Sequence, residues 1–146
     1  MQYALIFLLG LMCLPASAQQ VENLGPAALQ QMNTIRTTNG LGSVQVDKKL
    51  TEAATAHARD MAKKGFFSHT GSNGSSIGDR ARKARYGFCF IAENIAKGHG
   101  SLTQVLTGWL NSPGHRANML HVQVTEFGLV RGPGNHWVMV LGRPGC

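Results

Sequence analysis

Apolar positions along the chain fall into one uninterrupted run and two rhythms. The run comes first. Leu5 to Leu14 is apolar apart from Gly10, and it is followed by Pro15-Ala16-Ser17-Ala18, a small-x-small site. A run this short falls below the ~20 apolar residues a bilayer-spanning helix needs. It reads as a signal peptide over residues 1–18, cleaved near Ala18, with no transmembrane segment left after cleavage. Residues 19–27 form a short N-terminal segment and 28–146 the folded domain. A helical rhythm follows. Pro26 opens a helix, Leu29, Met32 and Ile35 recur at helical spacing, and Asn39-Gly40 stops it. Val44 and Val46 predict a short extended piece, and Asp47 is placed to cap what comes next. Over Leu50–Lys64 the pattern puts Leu50, Ala53, Ala54, His57 and Met61 on one face, and Gly65 ends the helix. Gly and Ser over 70–79 predict a loop, Ile77–Ala84 a short basic helix and Ile91–Ala96 a short element. Leu102–Leu110 predicts a helix with Val105, Leu106 and Trp109 inward, broken by Ser112-Pro113-Gly114.

The rhythm then changes. Phe127-Gly128-Leu129-Val130 and His136 to Leu141, joined by Gly-Pro-Gly-Asn at 132–135, predict a β-hairpin. Helices come first and paired strands last, which points to an α+β domain with helices packed on an antiparallel sheet. Trp109 and Trp137 are expected in its core, one on a helix and one on a strand.

Composition narrows the class. The chain has 146 residues, 43% hydrophobic and 14% charged. That is one globular domain, not a disordered tail or a multi-pass membrane protein. Fourteen Lys+Arg against seven Asp+Glu give a net charge of +7. Arg80, Arg82, Lys83 and Arg85 form a basic cluster, joined by Lys48, Lys49, Lys63 and Lys64. Only Tyr86 and Phe88 interleave with it and no nucleic-acid motif is present, so no nucleic-acid partner is expected. A solvated basic face, at most a salt-sensitive attraction to anionic envelope polymers, is. Cys13 leaves with the signal peptide. Cys89 and Cys146 remain, and in an oxidising compartment an even pair favours a disulfide closing a loop of about 57 residues. Two free thiols are the alternative.

Ionisable residues are few enough for their placement to matter. Phe66-Phe67-Ser68-His69 leaves the long helix for the Gly/Ser loop. Ala92-Glu93-Asn94-Ile95 sets a carboxylate and an amide in an apolar stretch. His115 stands at a helix start after Pro113-Gly114, and Glu126 precedes a strand. Two imidazoles and two carboxylates converging on one cleft could hold a divalent cation or exchange protons near neutral pH. Singly, each has a plainer role. His69 can cap or pack, Glu93 and Asn94 can bond loop backbone, His115 can be an ordinary first-turn residue, and Glu126 can pair with Arg116 or Arg131 at the surface. His57, mid-helix among alanines, is expected in the core. His99, His121 and His136 are expected to be structural or exposed.

Several runs occurring in order carry a family resemblance: FFSH at 66–69, GSNGSS at 71–76, AENIA at 92–96, WLNSPGHRANML at 109–120, TEFGLV at 125–130 and HWVMVLGRP at 136–144. Over about residues 28–144 the chain resembles bacterial CAP-domain (SCP-like) proteins, the superfamily of cysteine-rich secretory proteins, antigen 5 and pathogenesis-related 1 proteins. The resemblance implies a three-layer α-β-α sandwich with a central antiparallel sheet. It also implies a cleft where two His and two Glu meet, binding Zn2+ or another divalent cation in some members. His69 matches the first family histidine, Glu93 the glutamate of the GEN motif and His115 the GH histidine, which makes these three the candidate metal ligands. Ser112 stands where the second family glutamate would, and Glu126 is the candidate to replace it. With Asn94 these residues are the candidate ligand-binding set. The implied function is that of a secreted or periplasmic monomer whose cleft binds a small molecule, lipid or cell-envelope component. A metal-dependent hydrolase, peptidase or esterase, is the alternative. The chain shows no nucleophile elbow, phosphate loop or HExxH helix, which favours binding over catalysis.

Overall fold

The computed structural model describes residues 20–146. The signal peptide expected over 1–18 lies outside the described residues. Ten elements follow in order: β1 (Glu22–Asn23), α1 (Gly25–Thr38), β2 (Gln45–Val46), α2 (Lys48–Lys64), α3 (Ile77–Lys83), β3 (Phe88–Lys97), α4 (Leu102–Leu110), α5 (Pro113–Met119), β4 (Glu126–Gly132) and β5 (His136–Pro144).

Local chemistry sets the helix ends. Asp47 accepts a hydrogen bond from the Leu50 backbone N at 2.8 Å to start α2, and Gly65 ends it in the left-handed conformation at φ 68°, ψ 38°. Ser76 and Asp79 form a reciprocal capping box at the start of α3. Ser101 caps α4 through the backbone N of Gln104. Pro113 then both breaks α4 and opens α5, where its missing N–H costs nothing.

The sheet runs β1-β4-β5-β3, antiparallel throughout except that the two-residue β2 joins β4 in parallel. Its two faces bury different sets of residues. Phe127, Leu129, Trp137, Met139 and Leu141 pack with Ala28 and Met32 of α1, Val105, Leu106 and Trp109 of α4, and Met119 of α5. The alternate residues Val130, Val138 and Val140 pack with Leu50, Ala54, Ala58 and Met61 of α2 and Ala81 of α3. The period of two along the hairpin therefore sorts the helices into two layers, giving the α-β-α sandwich. Both tryptophans are buried as expected. Trp109 Nε1 donates to the Ile95 carbonyl at 3.2 Å and Trp137 Nε1 to the His99 carbonyl at 2.9 Å.

The structure departs from the sequence reading in two places. The short element over Ile91–Ala96 is a full strand, Phe88–Lys97, paired with β5 almost from end to end. The Glu93-Asn94 pair interrupts its apolar run, so the pattern does not show its full length. The chain is also already in the sheet at Glu22, whose two-residue strand pairs with Arg131 and Val130 of β4. The Cys89–Cys146 disulfide is formed, tying the segment just past β5 to the start of β3. Among the described residues no helix is long and apolar enough to cross a membrane.

Candidate functional site

β3 is an edge strand, and the site lies along it. Glu93 points to the α2/α3 face and the next residue, Asn94, to the α4/α5 face, so one dipeptide grips both helical layers. Glu93 is buried, at 6% exposure, and both its oxygens are engaged. Oε1 meets His69 Nδ1 at 2.9 Å, and Oε2 accepts from Arg80 Nη2 at 2.8 Å. Arg80 also donates to the carbonyls of His69 at 3.0 Å and Ser75 at 2.9 Å, which fastens the α2–α3 loop to the strand. His57, wholly buried on α2, donates from Nε2 to the Ser68 carbonyl at 2.8 Å and lies 3.8 Å from Glu93 Oε1. Buried strap and buried carboxylate thus hold His69 at the surface with its ring oriented.

The opposite wall comes from α5. Asn94 donates to the His115 carbonyl at 3.0 Å and accepts from Asn118 Nδ2 at 2.9 Å. The His115 ring is set by Ser112 Oγ, 2.9 Å from Nδ1. Arg36, buried on α1, donates to the carbonyls of Met119, His121 and Val124 and locks the segment that follows α5.

Electrostatics link the two walls. Burial, then the nearby charge of His69, hold the His115 imidazole below the ordinary range. The two imidazoles are therefore near enough for the charge of one to act on the other. Burial also lowers His57, with the Glu93 carboxylate opposing part of the shift. Neither His69 Nε2 nor His115 Nε2 has a hydrogen-bond partner among the described residues, so each ring is held at one nitrogen and free at the other.

Of the candidate residues, His69 and Glu93 are in contact, and His115 lies near enough to His69 to feel its charge. Asn94 is fully buried and acts on the site through α5. Glu126 stands apart. It pairs with Gly142 of β5, which pairs in turn with Ile91 of β3, so two strand spacings, roughly 9–10 Å, separate it from that strand. Its carboxylate accepts from the buried Tyr86 hydroxyl at 2.7 Å, not from Arg116 or Arg131. Burial and that bond push the Tyr86 phenol far up. These donors leave a divalent cation the two imidazoles and no carboxylate. Glu93 spends both oxygens on His69 and Arg80, and among the described residues no three His, Cys, Asp or Glu side chains stand together as a metal cluster. Sequence reasoning missed the two residues that support the site. Arg80 belongs to the buried face of α3, not to the exposed basic cluster, and core His57 is also a strap. The only mark either carried was a polar side chain in line with small buried ones, Ala53, Ala54 and Ala58 for His57, Gly78 and Ala81 for Arg80.

A sandwich of this strand order, with an edge-strand glutamate bonded to one of two cleft imidazoles, defines a CAP-type domain. The chain belongs to the cysteine-rich secretory protein family, whose profile matches residues 29–141. The crystal structure of an extracellular protein containing an SCP domain from Bacillus anthracis superposes with a TM-score of 0.74 at 32% identity, over 82% of this chain and 41% of that one. An outer surface protein of Borrelia burgdorferi shares the fold, with a TM-score of 0.76 at 20% identity over 87% and 99% of the two chains. The uncharacterized membrane protein YlbC and uncharacterized protein YkwD of Bacillus subtilis are each 34% identical, over 69% and 66% of this chain. The matches span only 29% and 38% of those relatives' own lengths.

Proposed function

We propose that this is an exported binding protein, secreted or periplasmic, that holds a polar group of a small molecule, lipid or cell-envelope component between His69 and His115. One observation carries the reading: two imidazoles close enough for their charges to interact are each fixed through Nδ1 by a separate partner, and neither Nε2 has a hydrogen-bond partner among the described residues. Preorganised donors and acceptors of this kind bind without first having to be ordered. His69 turns Nδ1–H to Glu93, which leaves Nε2 toward a ligand. His115, whose neutral form is favoured chiefly by burial, offers a donor or an acceptor at Nε2 according to tautomer. The extracellular setting of the Bacillus anthracis relative supports export.

A divalent cation such as zinc has a subordinate place in this reading. The protein supplies it two imidazoles, and water or the ligand must supply the rest, so it is held weakly. A hydrolase has less to draw on. The Ser112–His115 pair lies within one helical turn, and among the described residues no carboxylate bonds the His115 ring.

Calorimetry on the delipidated mature protein tests the reading, with zinc chloride and with anionic and zwitterionic envelope phospholipids as titrants. A saturable isotherm for one of them is expected, weakened about tenfold or more in His69→Ala/His115→Ala, a loss of ~1.4 kcal/mol or more, with the melting curve unchanged. Equal affinity in the double variant, or no saturable titrant, sinks it.

A further inference from the structure

β3 pairs with β5 alone, so its outer side borders no other strand. Three hydrogen bonds show which residues face that side. Glu93 and Ile95 turn their carbonyls outward, where Asn118 Nδ2 and Trp109 Nε1 donate to them at 3.4 and 3.2 Å. Gly142, the β5 partner of Ile91, accepts from the Thr125 N–H at 3.0 Å and so turns its carbonyl toward β4. Residues of an antiparallel pair point alternately at and away from each other. Ile91 therefore turns both its N–H and its C=O outward. On that side neither has a hydrogen-bond partner among the described residues. Burial marks the same boundary. Glu93 to Ala96 are buried, where α4 and α5 reach round the edge, whereas Phe88 to Ala92 are all half-buried. That open stretch is apolar throughout and carries none of the Lys or Pro residues that blunt a sheet edge. A bulge between Phe88 and Phe90 confines regular pairing to the residues after it.

The segments that touch this strand from either helical layer each leave a large apolar side chain in water. Phe67, 48% exposed, shortly precedes His69, which bonds Glu93. Val122, 75% exposed, follows His121, whose ring stacks on Phe90 with 4.0 Å between centroids. An N–H and a C=O presented side by side on an extended residue match the backbone of another extended chain. A lipid tail offers neither group. A second copy of this protein would bring its own helical layers against these two, whereas a single strand brings none. Side chains of an added strand alternate between the two faces of the sheet, so successive ones meet the Phe67 side and the Val122 side. We propose that the amino-terminal half of β3 captures a short extended peptide with apolar side chains as an added strand, its backbone paired to Ile91. The site stands whether or not the imidazoles hold a ligand.

Amide hydrogen exchange of the mature protein tests this, with the capped peptide acetyl-Thr-Val-Ile-Val-Thr-amide as probe. In the free protein the Ile91 amide is expected to exchange faster than that of Ala92, which bonds to β5. Peptide should slow it saturably, by about tenfold or more. The same peptide N-methylated at alternate residues keeps its side chains but cannot pair, and it should give no protection. Ile91→Pro removes the outward N–H and no bond to β5, and is expected to weaken binding about tenfold. If that variant does not fold, the methylated peptide still decides. Val122→Ser, an exposed truncation, weakens binding less. The His69→Ala/His115→Ala protein should bind the peptide as the wild type does. The proposal is overturned by a slow Ile91 amide in the free protein, by absence of saturation, or by equal protection from the methylated peptide. It is also overturned by unchanged affinity in a folded Ile91→Pro protein or by loss of binding in the double-histidine variant. Protection that rises with protein concentration alone overturns it too, because the occupant is then a second copy.

Discussion

Glu93 illustrates how a single residue is read correctly in kind and incompletely in role. Its setting, a carboxylate in an apolar stretch, marks it as functional without any structure. That it is spent on His69 and Arg80, and not left for a ligand, depends on side chains 24 and 13 positions away. No local pattern reports such a meeting. The same holds for His57, which a helical period places in the core but cannot connect to the Ser68 carbonyl. Its burial has a consequence that depends on pH. In the unfolded chain the imidazole titrates near about 6.5, and in the folded protein it titrates lower. Between the two values the unfolded chain holds more protons, so stability rises with pH across that window. It is complete above the unfolded value and is lost as the solution becomes more acid. His57→Gln keeps a donor for Ser68 and cannot titrate. Its melting temperature is expected to fall less than that of the wild type between about pH 7 and pH 5. Parallel slopes would mean that His57 does not govern acid sensitivity.

At the scale of elements, legibility follows uninterrupted patterns and marked ends. α2 has one face on the sheet and the other toward solvent, so its period shows; the β4–β5 hairpin is buried on both faces and is marked by two apolar runs around a Gly-Pro-Gly-Asn link. In β3 the Glu93-Asn94 pair interrupts the apolar run, and β1 and β2 are two residues long, so their extents were unmarked. Packing between elements also leaves its trace at a glycine. A Cβ on Gly128 of β4 would run into the backbone of Leu50 and Thr51, because the first turn of α2 lies directly on the strand. Gly128→Ala is therefore expected to cost ~1–3 kcal/mol by overpacking, read as a shift in the urea midpoint with unchanged slope. A neutral result would mean that α2 can lift from the sheet without loss.

For the molecule as a whole, the sequence supplied the class α+β from the order of its rhythms. The division of helices between two layers came only through the family resemblance, and the strand order β1-β4-β5-β3 only with the structure. Strand order is set by pairings between distant segments, which a hydrophobic pattern does not encode. The disulfide was legible because the expected loss of the signal peptide leaves two cysteines, and the bond joins β3 to the segment just past β5. Replacing both cysteines with serine is expected to lower the unfolding free energy by ~2–4 kcal/mol in chemical denaturation. A smaller loss would mean that the β3–β5 ladder already confines the unfolded chain's options.

The position of β5 carries one more consequence. It is the last element of the domain and the middle of the sheet: β3 pairs with no other strand, and β4 otherwise has only the two-residue β1 and β2. A chain emerging amino end first from a ribosome or a translocase therefore delivers its keystone last. Until that stretch arrives the earlier strands have almost nothing to zip onto, so the polypeptide stays threadable in transit and closes only once its tail is through.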